Sequence, residues 1–431
     1  MLNLCACCVL WSFLNKFEII RFDNLRTMKN RLTTLFFCLF IGVSLWAQQP
    51  TKWRGEKSEA KYPAPALMTQ WPAEGPQVLW HFEGLGEGYS SPTFANGKVY
   101  CTGMVDEVGY LNIFRENGSF EKKIPYGKEF EVSYPGSRPT PTIVGNMAYV
   151  STGFGELVCL NLDNGNILWN KELAKDFGSE NIRFGFTESV VVDGEKVYFT
   201  PGGKEFNVVA LNRMDGSLIW KSAGKGQLSA YCTPKLLKLG QRQILVTHTG
   251  DQIIAVDTKD GKLLWNYPFP NQYNIHPNTP LYKDGELFCF TGYGQGCVKL
   301  ALNEDGSAVT KVWETSKMDS QMGAAMLVDG YIYGSGHKAR GWFCLDWKTG
   351  EEKWNSTDLG NGVVIMAGDK LIAYSDRGEL ALINPTPEKF DLVSKCKVEY
   401  GTAQHWAHPV VHNGILYVRH GQSLIAYKIS A

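Results

Sequence analysis

The chain has 431 residues, and its 43 Lys plus Arg balance its 43 Asp plus Glu, so the formal net charge is zero. That balance supplies no electrostatic footprint for nucleic acid or an anionic membrane surface. The length is ample for a large core without disulfide staples.

In chain order, the first expected element is a targeting segment. Met28-Lys29-Asn30-Arg31 reads as a basic start, Leu32 to Trp46 as an apolar run, and Ala47 before Gln48-Gln49 as a cleavage point. Residues 1–47 are therefore read as an upstream extension plus signal peptide, with Met28 as the true start. The apolar run is shorter than a typical membrane-spanning helix, and no transmembrane domain is expected after cleavage. Cys38 follows Phe36-Phe37, where a lipoprotein signal needs a small residue, so lipidation is not expected. Residues 48–76, rich in Pro, Lys and Glu, read as an irregular leader crossing the face or rim of the domain that follows.

That domain, residues 77–431, is built from repeats. Asp257-Thr258-Lys259-Asp260-Gly261-Lys262-Leu263-Leu264-Trp265 has counterparts ending at Trp169, Trp220, Trp313 and Trp354. Each copy is a short apolar strand, an Asp/Asn–Gly turn and a second strand carrying the Trp, which reads as a β-hairpin. Upstream lies a second hairpin, as in Asn96-Gly97, Asp193-Gly194, Asp284-Gly285, Asp329-Gly330 and Asn413-Gly414. The Trp spacing averages about 46 residues, the period of a four-stranded propeller blade. The expected fold is all-β: an eight-bladed β-propeller of four-stranded antiparallel blades.

Strand starts are expected near Tyr89, Arg138, Phe186, Tyr231, Pro277, Gly323, Gly362 and His408. The last unit has three strands, so the N-terminal strand Gln77 to Phe82 is expected to complete it and remove an exposed edge. A seven-blade count stays open, because the unit near Gly362 to Val398 has no Trp and carries Asn384-Pro385-Thr386-Pro387 in place of its Gly turn.

Seven cysteines follow the cleavage point, mostly within expected strands, where Cys serves as a small hydrophobe. No spacing suggests a zinc site or attached haem. The many aromatics read first as blade packing and second as a saccharide-stacking surface.

The Asp-x-x-Asp-Gly-x-x-x-Trp hairpin, preceded by Val-Ala-Leu-Asn or Ile-Ala-Val-Asp, resembles the repeat of the pyrroloquinoline-quinone-type propellers. The resemblance runs from about Trp71 to the C-terminus. That superfamily includes quinoprotein alcohol dehydrogenases and the lipoprotein propeller of the outer-membrane assembly machinery. Trp53-Arg54-Gly55, Trp71-Pro72 and Gly88-Tyr89-Ser90-Ser91-Pro92 are similar to a secreted bacterial branch of it. The dehydrogenases hold the quinone with a vicinal disulfide and calcium with a carboxylate cluster. Here the only adjacent cysteines are Cys7 and Cys8, before the expected cleavage point, and the calcium cluster does not map onto the chain. No cofactor is therefore expected, with pyrroloquinoline quinone and calcium as the family alternative.

A site is expected where the repeat breaks down, in the segments before each innermost strand, which line one channel mouth. The ligand-binding candidates are Glu87, Tyr89, Arg138, Arg183, Glu188, Tyr231, His276, Gln321, His405 and Trp406. Their plainer readings are Arg–Glu pairs lining the channel, hydrogen-bonded loop histidines and packing aromatics. No metal ligands or catalytic residues are assigned. The leading functional reading is an exported, periplasmic or secreted, monomeric module that binds or scaffolds an envelope protein partner or a saccharide. The alternatives are a quinone-dependent alcohol or sugar dehydrogenase and a carbohydrate lyase using a His–Tyr–Arg set.

Overall fold

The computed structural model describes residues 50–180, 182–321 and 325–431. The expected signal segment and the strand start at Gly323 lie outside these residues. Eight sheets follow one another along the chain. Blades 1 to 7 take their four antiparallel strands from residues 93–128, 142–172, 191–222, 235–268, 281–315, 325–356 and 362–397. Blade 8 has three strands from residues 410–428 and a fourth from the N-terminal side, β2 (Val78–Phe82), which pairs antiparallel with Ser423–Lys428. The count is eight, and the ring closes as the sequence implies. The inner strands begin up to five residues later than expected, at Thr93, Thr142, Val191, Lys235, Leu281, Ala325, Gly362 and Val410. The displaced residues belong to the links that cross the mouth.

Two hairpin types alternate. Between the first and second strands, Asn96-Gly97, Asp284-Gly285, Asp329-Gly330 and Asn413-Gly414 have positive φ at both residues, as a two-residue type I′ turn requires. The Trp-bearing hairpin differs from the tight turn expected of its Asp-Gly pair. Only its glycine is left-handed, as at Gly261 (φ 77°). The Gly261 N–H reaches back to the Asp257 carbonyl (2.9 Å), and Asp257 Oδ1 accepts the Lys259 N–H (2.9 Å). A bulge precedes each Trp: Val256 faces Leu263 while Ala255 faces Trp265. Bulges re-aim side chains, and here the indole is turned to the next blade.

The indole N–H groups of Trp80, Trp169, Trp220, Trp265, Trp313 and Trp354 donate to carbonyls of the following blade's turn, at Glu116, Arg213, Thr258, Gly306, Trp347 and Thr386. Thr386 lies in the Pro-rich turn of blade 7, so that degenerate unit keeps its acceptor. Trp80 of β2 makes the same bond into blade 1 and seals the ring.

The leader first threads the channel and then crosses to the rim, where the Trp71 N–H donates to Ser394 Oγ on the outer strand of blade 7 (3.1 Å). Residues 50–68 enter the central channel as a hairpin. Thr51 exchanges two backbone hydrogen bonds with Ile143 of blade 2 (3.0 and 2.9 Å). The chain then turns through Trp53–Ser58 and returns as β1 (Lys61–Tyr62), which pairs in parallel with the inner strand of blade 7 and makes that sheet five-stranded. Arg54 Nη2 donates to the Ala325 carbonyl of blade 6, and Lys235 Nζ of blade 4 donates to the Lys57 carbonyl. Leu67 bridges Ser430 at the exit. Antiparallel succession places the links between blades and the second-to-third strand turns at one end of the channel. The two kinds of glycine hairpin lie at the other.

Candidate functional site

Seven of the links between blades, a turn of blade 5 and the leader close around a cavity of about 380 Å³ at the channel mouth. Its aromatic walls are Tyr89, Tyr134, Phe184, Tyr231, Tyr293 and Trp406, and the leader contributes Trp53. The Trp406 ring lies 5.2 Å from that of Tyr89 and 4.8 Å from that of Tyr134, which ties blades 8, 1 and 2 together. Trp53 packs edge-on to His408 at 5.0 Å. Among the described residues lining the cavity there is no Asp or Glu.

Three of these tyrosines have left-handed backbones: Tyr134 (φ 50°), Tyr231 (φ 72°) and Tyr293 (φ 65°). A bulky side chain in that region is strained, and strain of this kind gathers at binding sites. Tyr231 is pinned twice: its phenol oxygen accepts the Phe184 N–H (3.3 Å) and its carbonyl accepts the Thr187 hydroxyl (2.9 Å). Burial pushes its phenol up to about 12, so it is protonated at neutral pH.

Of the ten candidates, the cavity brings together Tyr89, Arg138, Tyr231, Gln321 and Trp406. The Arg138 guanidinium donates to the carbonyls of Gly136, Ser133 and Tyr134 at 2.7–2.9 Å, fastening its own loop. Arg183 is exposed beside the opening, over the Phe184 and Tyr273 rings at 5.4 and 5.5 Å. Glu87 lines a second hollow with Gln404.

The structure places the other three elsewhere. Glu188 is buried, with its carboxylate at the Thr200 N–H (3.1 and 3.2 Å), and burial drives its pKa well above the usual carboxylate range. The His276 ring is buried, stacks on His248 at 5.3 Å and is pushed down to about 4 by burial. Its neighbours Ile275 and Pro277 line the cavity in its place. His405 hydrogen-bonds through Nδ1 to the Tyr374 hydroxyl and stacks on His420 at 3.7 Å. His276 and His405 thus stay outside the mouth, where the histidine beside Arg138 and Tyr231 is His408. The Arg–Glu pairs of the plainer reading do not form.

Sequence reasoning missed Trp53, Tyr134, Tyr293 and three hydroxyls, Thr140, Ser189 and Thr233. The last group carried a signal. Ser91-Pro92, Thr140-Pro141, Thr233-Pro234 and Thr279-Pro280 recur just before inner strands, where Pro favours an extended entry.

The family model described as outer membrane protein assembly factor BamB matches residues 121–356, more than half of the chain, and the chain belongs to that family. It is 22% identical over 300 residues to the outer membrane protein assembly factor BamB of Yersinia pestis, covering 64% of this chain and 70% of that protein. It is 27% identical over 158 residues to the quinoprotein alcohol dehydrogenase PedH of Pseudomonas putida, covering 33% of this chain and 24% of that one. In structure it is similar to BamB from Moraxella catarrhalis, with a TM-score of 0.58, 15% identity, and coverage of 82% of this chain and 99% of that one. The quinohemoprotein alcohol dehydrogenase from Comamonas testosteroni is similar with a TM-score of 0.60, 10% identity, and coverage of 87% and 79%. At these identities the structural likenesses establish the propeller fold alone.

The dehydrogenases raise the question of a quinone with calcium. The residues present do not fit that pair. The cysteines of the described region, Cys101, Cys159, Cys232, Cys289, Cys297, Cys344 and Cys396, are free thiols and no two adjoin in sequence. Among the described residues no group of three or more His, Cys, Asp or Glu is placed to hold a metal ion.

Proposed function

We propose that this protein is an exported binding and scaffolding module whose recognition site is the aromatic mouth of the propeller. The observation that carries the reading is the cavity itself. Links that differ from blade to blade converge on one concave, aromatic-lined site, while the repeated glycine hairpins face the other way. Concavities with apolar walls and a few convergent polar groups are the usual form of binding sites.

The names of the relatives, outer membrane protein assembly factors, support an envelope protein as the partner, and we take the periplasm as the compartment. Among the described residues no helix is long and apolar enough to cross a membrane. We take the chain to act as a monomer. Val132 and Tyr134 are exposed apolar side chains in one mouth link, whereas Leu218 is exposed on an outer strand.

The test is photo-crosslinking in cells from a photoreactive amino acid at each of these three positions. A discrete envelope protein captured from 132 and 134 but not from 218 is the expected result. Capture from 218 alone overturns the placement of the site, and quinone-dependent alcohol oxidation by the purified protein overturns the scaffold reading.

A further inference from the structure

Next to the inner strands, the cavity is edged by hydroxyls with an unusual hydrogen-bond history. Thr140, Ser189 and Thr233 each sit two residues before an inner strand and are almost fully buried. Each accepts a backbone N–H. Ser91 donates to Thr140 Oγ1, Thr140 to Ser189 Oγ and Ser189 to Thr233 Oγ1, all at 3.0 Å. A hydroxyl has one proton to give as well as lone pairs to fill. Here a lone pair of each is filled by the neighbouring segment, and among the described residues none of the three protons has an acceptor.

Two phenols share this state. The Tyr231 oxygen accepts the Phe184 N–H, and the Tyr293 oxygen accepts Gln321 Nε2 at 2.7 Å. Their protons are also left to donate. Arg138 adds a positive charge and Arg183 stands at the opening, whereas no carboxylate lines the space. The polar groups are therefore chiefly donors, and the walls are aromatic. A neutral polyol could accept these protons, but its own hydroxyl protons would find few acceptors in such a lining. An oxyanion accepts several at once, through the shorter and stronger bonds that a charged acceptor makes.

We propose that the mouth cavity binds a ring-bearing carboxylate. Its ring lies against the aromatic faces, and its oxygens accept from hydroxyls among Thr140, Ser189, Thr233, Tyr231 and Tyr293, with Arg138 balancing the charge. The proposal rests on the mouth being the recognition site. Backbone strain at Tyr134, Tyr231 and Tyr293 supports it, because all three rings line this one space. A free aromatic acid and the acidic sugar of a saccharide share this chemistry.

Calorimetric titration of the purified protein with benzoate and D-glucuronate, each against its neutral counterpart, benzyl alcohol or D-glucose, separates the two sources. At least one acid is expected to bind roughly tenfold more tightly than its counterpart, as one hydrogen bond to a charged group would provide. Which acid it is names the source. Ser189→Ala and Tyr293→Phe should each weaken that binding by about three- to tenfold. Tyr293 is only half-buried, so its variant remains informative if the Ser189 variant fails to fold. Equal binding of acid and neutral partner overturns the anion assignment while leaving a ligand site. Absence of binding by both acids overturns the proposal, and crosslinking from the mouth would then still uphold partner docking.

Discussion

The indole N–H of Trp220 donates to the Thr258 carbonyl at 2.9 Å, across the seam between blades 3 and 4. Its ring also fills the space above Gly261, where a Cβ would come 2.5 Å from Trp220 Cε3. The two conserved letters of the hairpin grammar within this chain, Gly and Trp, are thus one device split between neighbouring blades. Trp220→Phe removes a hydrogen bond and part of a buried ring. The Thr258 carbonyl keeps Lys196 Nζ as a donor (2.6 Å), so the loss should be moderate, about 1–3 kcal/mol. Gly261→Ala places a methyl into the ring at a left-handed φ, and should cost at least as much. Urea unfolding of both variants measures the order.

The leader hairpin gives a second expectation. Thr51 pairs with Ile143, and the Met366 N–H donates to the Ala60 carbonyl (2.9 Å). A chain truncated to begin at residue 69 leaves these inner-strand groups facing an open channel. Amide exchange at Ile143 and Met366 should then rise by at least about tenfold, because their protection would no longer outlast local opening. Stability should drop by several kcal/mol, since backbone groups would be unpaired and Trp53 lost from the cavity. Unchanged exchange at both amides would show that the hairpin is dispensable.

Tyr134 tests whether the mouth is strained for use. Its side chain is 43% exposed, yet its backbone is left-handed. Asn tolerates that region better than any aromatic. Tyr134→Asn exchanges ring contact with Trp406 for relief of strain, and the net change in stability should stay within about 1 kcal/mol. Partner or ligand binding should weaken several-fold in the same variant. A large loss of stability would assign Tyr134 to packing.

The fold was legible because propeller blades are written in local chemistry: turn glycines, short apolar strands and a Trp at fixed spacing. Even the closing strand could be found, since β2 is a Trp-bearing strand without its own hairpin. The site was legible only as a region. Apart from the hydroxyl residues that recur before the inner strands, the mouth links carry no period, so sequence could mark Tyr89, Arg138, Tyr231, Gln321 and Trp406 as candidates but could not separate them from His276 and His405, whose rings turn into blade seams. Tyr293 sits in a second-to-third strand turn, and Trp53 arrives through the channel from the leader. Both depend on packing between segments far apart in the chain, which no local pattern encodes.

The seam histidines yield the pH dependence. Among the described residues, both His248 ring nitrogens and His276 Nδ1 have no hydrogen-bond partner. Burial holds His248 well below the ordinary imidazole range and His276 at about 4 against 6.5. The unfolded chain therefore takes up protons before the folded one does. Stability from these groups is complete above pH 6.5 and is lost as pH falls toward 4. For His276 alone the loss approaches about 3 kcal/mol, at roughly 1.4 kcal/mol per pH unit. Glu188 acts in the opposite sense. Its raised folded pKa gives stability present below pH 4.5 that fades as pH rises through the folded value. The two contributions separate by mutation. The His248→Leu/His276→Leu double variant should flatten the decline between pH 6.5 and 4 measured by chemical unfolding. Glu188→Gln should leave that decline in place and remove the opposing slope above pH 4.5. A double variant with the same decline as the parent would place the acid sensitivity elsewhere.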